Sequence, residues 1–275
     1  MIETYFFMKF GKVAYYLSGR GKTLVFLHGW GQNFLSFNKI TEELKNDYQI
    51  LGIDLPGFGM SDEPEYPLGL NDYVDTVEKI LEHLSLKEPI IIAHSFGGRV
   101  AIRYSITRPT KVLILVSSAG IKRRSISLGL KIFCYKVLKR IYRIIARKKY
   151  FHLINHSGSD DYVQATPIMK QTMSHIISVD LRKDLRKIKI PTHLLWGVYD
   201  EATPYRDALL MHKLISHSQL HPFYRSGHFC YLTEGRKFIN TLKRILSEDL
   251  YGNIQKHNGI LFDSDERFDH HYPNQ

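Results

Sequence analysis

The apolar positions of this chain fall into two periods that alternate along its length. Residues 2–9 and 12–18 alternate apolar and polar side chains and meet at Gly11, which predicts an antiparallel hairpin. Thr23-Leu24-Val25-Phe26-Leu27 is a short continuous apolar run, the pattern of a strand covered on both faces. Similar runs recur at Ile50–Leu55, Pro89–Ala93, Lys111–Val116 and Thr192–Trp196, with a further strand-like stretch at Ser218–Tyr224. Helical periods lie between them, over 34–46, 71–84, 97–108 and 204–216. Alternation of this kind predicts the α/β class: a mostly parallel, twisted sheet with helices on both faces. Such sheets place their chemistry at the carboxyl ends of the strands.

One segment interrupts the alternation. Residues 121–188 carry helical periods and no convincing strand, so they read as a helical lid inserted between a first core part, 1–120, and a second, 189–250. Residues 251–275 are polar and aperiodic and read as a loose C-terminal tail. Composition sharpens the picture at the insertion. The chain has 275 residues, 38 Lys+Arg against 27 Asp+Glu, and a net charge of +11. Eleven of the cations lie between Lys122 and Lys149, where there is no Asp or Glu, and the remainder of the chain is balanced. A hydrophobic content of 44% excludes a disordered chain, and two cysteines, Cys134 and Cys230, do not make a disulfide scaffold. The cysteines, the lack of a signal-like start and the lack of an apolar run of about 18 residues lead us to expect a cytoplasmic protein, free or peripheral to a membrane.

Chemistry is predicted after the strands. Ile90-Ile91-Ile92 runs into Ala93-His94-Ser95-Phe96-Gly97-Gly98 and then a helix. A Ser on a tight strand-to-helix turn needs small residues two before and two after it, and Ala93 and Gly97 meet that need. The helix start behind Ser95 offers free N–H groups and a positive dipole end to a developing oxyanion. Asp200 follows the run that ends at Trp196-Gly197, and His228 comes 28 residues later in Ser226-Gly227-His228, a gap that holds one helix and one strand. All three residues are expected at one edge of the sheet, with His228 as base and Asp200 as its orienting carboxylate. Asp207 is a weaker acid candidate because it falls inside a helical period. No Cys or His spacing suggests a metal site, and no cofactor is expected.

Two further turns, His28-Gly29-Trp30-Gly31 and Asp54-Leu55-Pro56-Gly57-Phe58-Gly59-Met60-Ser61-Asp62, complete a set. With Ala93–Gly98, Trp196-Gly197-x-x-Asp200 and Gly227-His228, in that order, residues 20–245 resemble the α/β-hydrolase superfamily. The resemblance implies the α/β-hydrolase fold and an oxyanion hole made by the backbone N–H groups of Trp30 and Phe96. It implies that His28 and Asp54 order their loops, although Asp54 is also a candidate catalytic acid. A Ser at the turn sets the chain apart from relatives with Asp there, the haloalkane dehalogenases and epoxide hydrolases. It implies an acyl-enzyme route on a carboxylic ester or thioester of a small or acyl-chain substrate, like that of the carboxylesterases. The alternatives are a C–C bond hydrolase of the meta-cleavage-product type and a non-catalytic binding module.

The basic segment has its own pattern. Within 130–145, Leu130, Phe133, Val137, Leu138, Ile141, Ile144 and Ile145 form an apolar stripe with the cations mainly off it. An amphipathic basic helix of this kind suits a lid over the site, an anionic membrane surface, or an acidic carrier protein, since esterases acting on acyl carrier protein resemble this chain in lid position. Nucleic acid is disfavoured, because neither a stacking platform nor a recognition-helix motif accompanies the charge. Ser157–Tyr162 reads as a turn and helix cap. The oligomeric state is not legible.

Overall fold

A computed structural model describes residues 2–122 and 165–250. The basic helix expected over 130–145, the turn at Ser157–Tyr162, Cys134 and the tail 251–275 lie outside the described residues.

Eight strands form one sheet in the order β1-β2-β4-β3-β5-β6-β7-β8. The expected hairpin is β1 (Ile2–Met8) and β2 (Gly11–Ser18), which pair antiparallel with Met8 opposite Gly11. Strand β2 also runs antiparallel to β4 (Gln49–Ile53). From β4 onward every pairing is parallel, through β3 (Thr23–Leu27), β5 (Ile90–His94), β6 (Val112–Val116), β7 (Thr192–Gly197) and β8 (Ser218–Phe223).

The continuous apolar runs are explained by two cores, one on each face. Val25, Leu27, Ile91, Ala93 and Leu115 point to one side. There they meet α2 (Leu70–His83), α3 (Phe96–Ser105) and α6 (Tyr205–Leu214). Leu24, Phe26, Ile90, Ile92 and Ile114 point to the other side. They meet α1 (Asn38–Leu44) and α8 (Gly235–Leu250). Because successive strand residues face opposite ways, a strand buried on both faces has no polar positions to alternate with.

The helical period over 34–46 resolves into a short 3-10 turn, Phe34–Phe37, followed by α1. Asn33 tightens that first turn, its side chain accepting from Leu35 N–H and its carbonyl from Ser36 N–H. Two further helices, α8 and the short α7 (Cys230–Thr233) before it, lie outside the helical periods named above.

The described end of the segment that interrupts the alternation is helical, with α4 (Pro167–Ser178) and α5 (Arg182–Leu185). Helix α4 is tied to the core along its length. Thr172 Oγ1 accepts from Leu68 N–H at 3.0 Å, and the buried Arg99 guanidinium of α3 donates to the carbonyls of Ile176 and Val179 at 3.1 and 2.9 Å. No helix among the described residues is long and apolar enough to cross a membrane.

Strand β3 sits between β4 and β5, so the chain leaves it first to one side and then to the other. The crevice outside the carboxyl ends of β3 and β5 is therefore where an open α/β sheet accommodates a ligand.

Candidate active site

Ser95 is the residue between β5 and α3, and its backbone is strained at φ 48° and ψ −109°. A non-glycine residue in the left-handed region costs on the order of 1–3 kcal/mol, and the surroundings hold it there. Ser95 N–H donates to Val116 O at 3.1 Å, and Ser95 O accepts from Ala119 N–H at 2.9 Å, so the turn after β6 braces the turn after β5. Gly97 N–H donates to His28 O at 3.0 Å. A Cβ at Gly97 would stand 2.4 Å from Leu27 O and 2.7 Å from His28 O, so the first turn of α3 passes the end of β3 with no room for a side chain. Ser is a favoured helix cap, but this backbone carries its hydroxyl away from the α3 N–H groups, and it makes no cap hydrogen bond. The hydroxyl lies instead 3.0 Å from His228 Nε2.

Asp200 and His228, the acid and base expected from the sequence, follow the ends of β7 and β8. His228 Nδ1 lies 2.9 Å from Asp200 Oδ2. The carboxylate fixes the imidazole proton on Nδ1 and leaves the Nε2 lone pair to accept from Ser95. Burial pushes the Asp200 carboxyl up, but the His228 hydrogen bond and charge outweigh it, helped by the Thr203 N–H and hydroxyl, and the group ends below its ordinary value. Asp200 therefore stays ionised at neutral pH.

Backbone packing explains the signature around Asp200. A Cβ at Gly197 would stand 2.1 Å from Gly227 O, because the His228 loop crosses there. The buried Trp196 donates from Nε1 to Thr203 O at 2.7 Å and closes the acid turn. Tyr199 N–H donates to Ser226 O at 3.0 Å and ties the two loops together. Asp207 stands on α6, as its helical period predicts; the carboxylate at His228 is that of Asp200.

Trp30 and Phe96 lie at the ends of β3 and β5, and their rings meet edge to face at 5.4 Å. Among the described residues neither backbone N–H takes part in the loop and turn backbone hydrogen bonds that brace this edge. Phe58 packs against both rings, at 4.9 Å from Trp30 and 6.1 Å from Phe96, and gives this edge an aromatic wall. His28 is fully buried and neutral, its pKa pushed down to about 4 by burial. It accepts from Leu55 N–H at Nε2, 2.9 Å, and lies 2.7 Å from Gly29 O through Nδ1. Asp54 accepts from Phe34 N–H at 2.7 Å, Met60 N–H at 2.9 Å and Tyr16 OH at 3.1 Å. Both residues are committed to loop backbone, which suits the ordering role.

Three neighbours of the site escaped the sequence reading. His94 packs tilted against His228 with ring centroids 4.7 Å apart, and burial pushes its pKa down to about 3. Thr203 contacts Asp200 twice, through N–H and hydroxyl, each at 2.8 Å. Glu234 accepts from Arg225 N–H at 3.0 Å and from Ser226 Oγ at 2.6 Å, holding the strand of chain that leads into His228. The sequence does carry a signal at Thr203-Pro204, but it is the signal of a helix start. Among the described residues no group of three His, Cys, Asp or Glu side chains is placed to hold a metal ion.

Known proteins share this arrangement of chain. A family model described as alpha/beta hydrolase fold matches residues 22–130. The AB hydrolase superfamily protein YisY of Bacillus subtilis (strain 168) is 29% identical over 251 residues, covering 82% of this chain and 91% of that one. The pimeloyl-(acyl-carrier protein) methyl ester esterase of Aliivibrio salmonicida (strain LFI1238) is 25% identical over 251 residues, covering 84% of this chain and 94% of its own length. Among solved structures, an esterase from Exiguobacterium antarcticum superposes with a TM-score of 0.70 at 24% identity, covering 86% of this chain and 96% of that chain.

Proposed function

The chain belongs to the α/β-hydrolase superfamily, and from that premise we propose that it is a serine hydrolase of carboxylic esters or thioesters with a small or acyl-chain acid part. The observation that carries the proposal is the continuous relay from Ser95 Oγ through His228, 3.0 Å, to Asp200, 2.9 Å. In the reaction, Ser95 Oγ attacks the carbonyl carbon while its proton passes to His228 Nε2. Asp200 stabilises the imidazolium so formed. The carbonyl oxygen, now carrying the charge, is held by the N–H groups of Trp30 and Phe96. His228 returns the proton to the leaving alcohol or thiol as the bond to it breaks. Water then attacks the acyl-enzyme with His228 as base, freeing the acid and restoring Ser95. Every group needed is a side chain or backbone N–H of this chain.

The division of labour along the chain belongs to the same proposal. In it residues 1–120 and 189–250 are the two parts of the core, 121–188 the lid insertion and 251–275 the tail. The relative from Aliivibrio salmonicida is named for an ester carried on acyl-carrier protein. A segment with eleven cations and no carboxylate suits an acidic carrier of that kind.

Turnover of p-nitrophenyl esters of increasing acyl length tests the reading. Wild type hydrolyses a band of chain lengths, and Ser95→Ala lowers kcat by about 10⁴-fold or more with the fold intact. Turnover in Ser95→Ala within tenfold of wild type overturns it.

A further inference from the structure

The hydroxyl of Thr203 does something its sequence context does not suggest. Thr203 stands just before Pro204 and α6, where a threonine side chain would cap the helix, yet the helix has no side-chain cap. The hydroxyl turns back to Asp200 Oδ2 at 2.8 Å, the same oxygen that faces His228 Nδ1 at 2.9 Å. It lies 3.0 Å from Ser117 O, on the turn that follows β6, and 3.3 Å from His228 Nδ1 itself. Thr203 is buried, so water does not substitute for these contacts. A hydroxyl has one proton to donate. A charged carboxylate is the stronger acceptor, so while Asp200 is ionised the proton is directed to Oδ2.

We propose that Thr203 is a positioning residue of the relay, its hydroxyl sharing Asp200 Oδ2 with His228 and thereby setting how strongly the carboxylate holds the imidazole. The proposal rests on the serine-hydrolase reading. A donor on Oδ2 draws negative charge away from the atom that faces the imidazole. It weakens the hold of Asp200 on the imidazolium. Without that donor, the full carboxylate charge faces the imidazole and the imidazolium is favoured. The other titratable groups around the pair do not compete. His94, at the end of β5, is buried and neutral, and Cys230 and Tyr231 of α7 are pushed up by burial. The Glu234 carboxylate is bound to Arg225 N–H and Ser226 Oγ. Among the described residues, Asp200 is the charged group in contact with His228.

The rate of labelling of Ser95 by a fluorophosphonate, followed against pH, tests the proposal without a known substrate. Thr203→Val removes the hydroxyl, keeps the branched shape, and leaves the backbone bonds to Asp200 and Trp196 in place. Its acid limb moves up by about half a pH unit or more, so that on that limb labelling falls about threefold relative to wild type. Thr203→Ser, which restores the hydroxyl, follows the wild-type profile. Thr203→Ala serves as a second hydroxyl-free variant should the valine not fold, and moves the limb the same way. An unmoved limb in the hydroxyl-free variants, or an equal shift in Thr203→Ser, overturns the proposal alone. A folded wild type that does not label at all overturns the serine-hydrolase reading and this proposal with it.

Discussion

The proposed nucleophile is held by backbone, whereas the pair proposed to activate it is held by backbone and side chains together. Ser95 is placed by backbone: a left-handed φ, a glycine pressed against two carbonyls, a carbonyl partner at the end of β6 and an N–H partner in the turn after it. Asp200 and His228 share backbone packing at Gly197 and Tyr199, and are placed in addition by side chains that act across loops: Trp196, Thr203, Ser226 and Glu234. The backbone device resists motion but tolerates almost no substitution at Gly97. The side-chain device tolerates substitution and transmits it as a change of rate or pH profile. The proposed site thus joins an attacking atom set by backbone to a base whose side-chain supports can be substituted.

Three substitutions break or sharpen that contrast. The largest effect is expected from Asp200→Asn, which keeps the shape of the acid and removes its charge. It should lower kcat by about 10⁴-fold while the melting temperature stays within a few degrees of wild type. A large loss of stability instead would mean that Asp200 is a structural residue of its turn. Next comes Gly97→Ala, which drives a methyl group into Leu27 O and His28 O. Forcing an atom into so tight a contact costs about 1–3 kcal/mol, to be read from the urea midpoint, and labelling of Ser95 should fall with it. An unchanged midpoint would show that the elbow yields more easily than its geometry implies. The smallest effect is expected from Glu234→Gln, which weakens the charge-assisted bonds to Arg225 and Ser226. A loss of about fivefold in kcat with little change in stability fits a hydrogen-bond weakening of roughly 1 kcal/mol. A loss as large as that of Asp200→Asn would place Glu234 in the machinery itself.

The same contrast decides what could be read from sequence. The elbow is encoded within the six residues from Ala93 to Gly98, because its constraints act between near neighbours and the strand they leave. The buried strands were legible for a similar reason: two covered faces leave no polar positions. Asp200 and His228 were legible through their position after strands. Thr203 and Glu234 were not, because a hydroxyl before a proline and a carboxylate between two helices reveal their partners only when the loops fold back on one another. The 3-10 turn at Phe34–Phe37 was hidden in a longer helical period by the same kind of local capping, here at Asn33. The assignment of His28 and Asp54 to loop order came from resemblance, and their hydrogen bonds to Leu55, Phe34 and Met60 give the physical reason.

Mass spectrometry of the intact protein after fluorophosphonate treatment, followed by peptide mapping, measures directly whether Ser95 is a nucleophile activated by His228 and Asp200. One adduct per chain is expected, on the peptide carrying Ser95, lost in Ser95→Ala and strongly slowed in both His228→Ala and Asp200→Asn. An adduct on another residue, or labelling of Ser95 at an undiminished rate in His228→Ala, would contradict it.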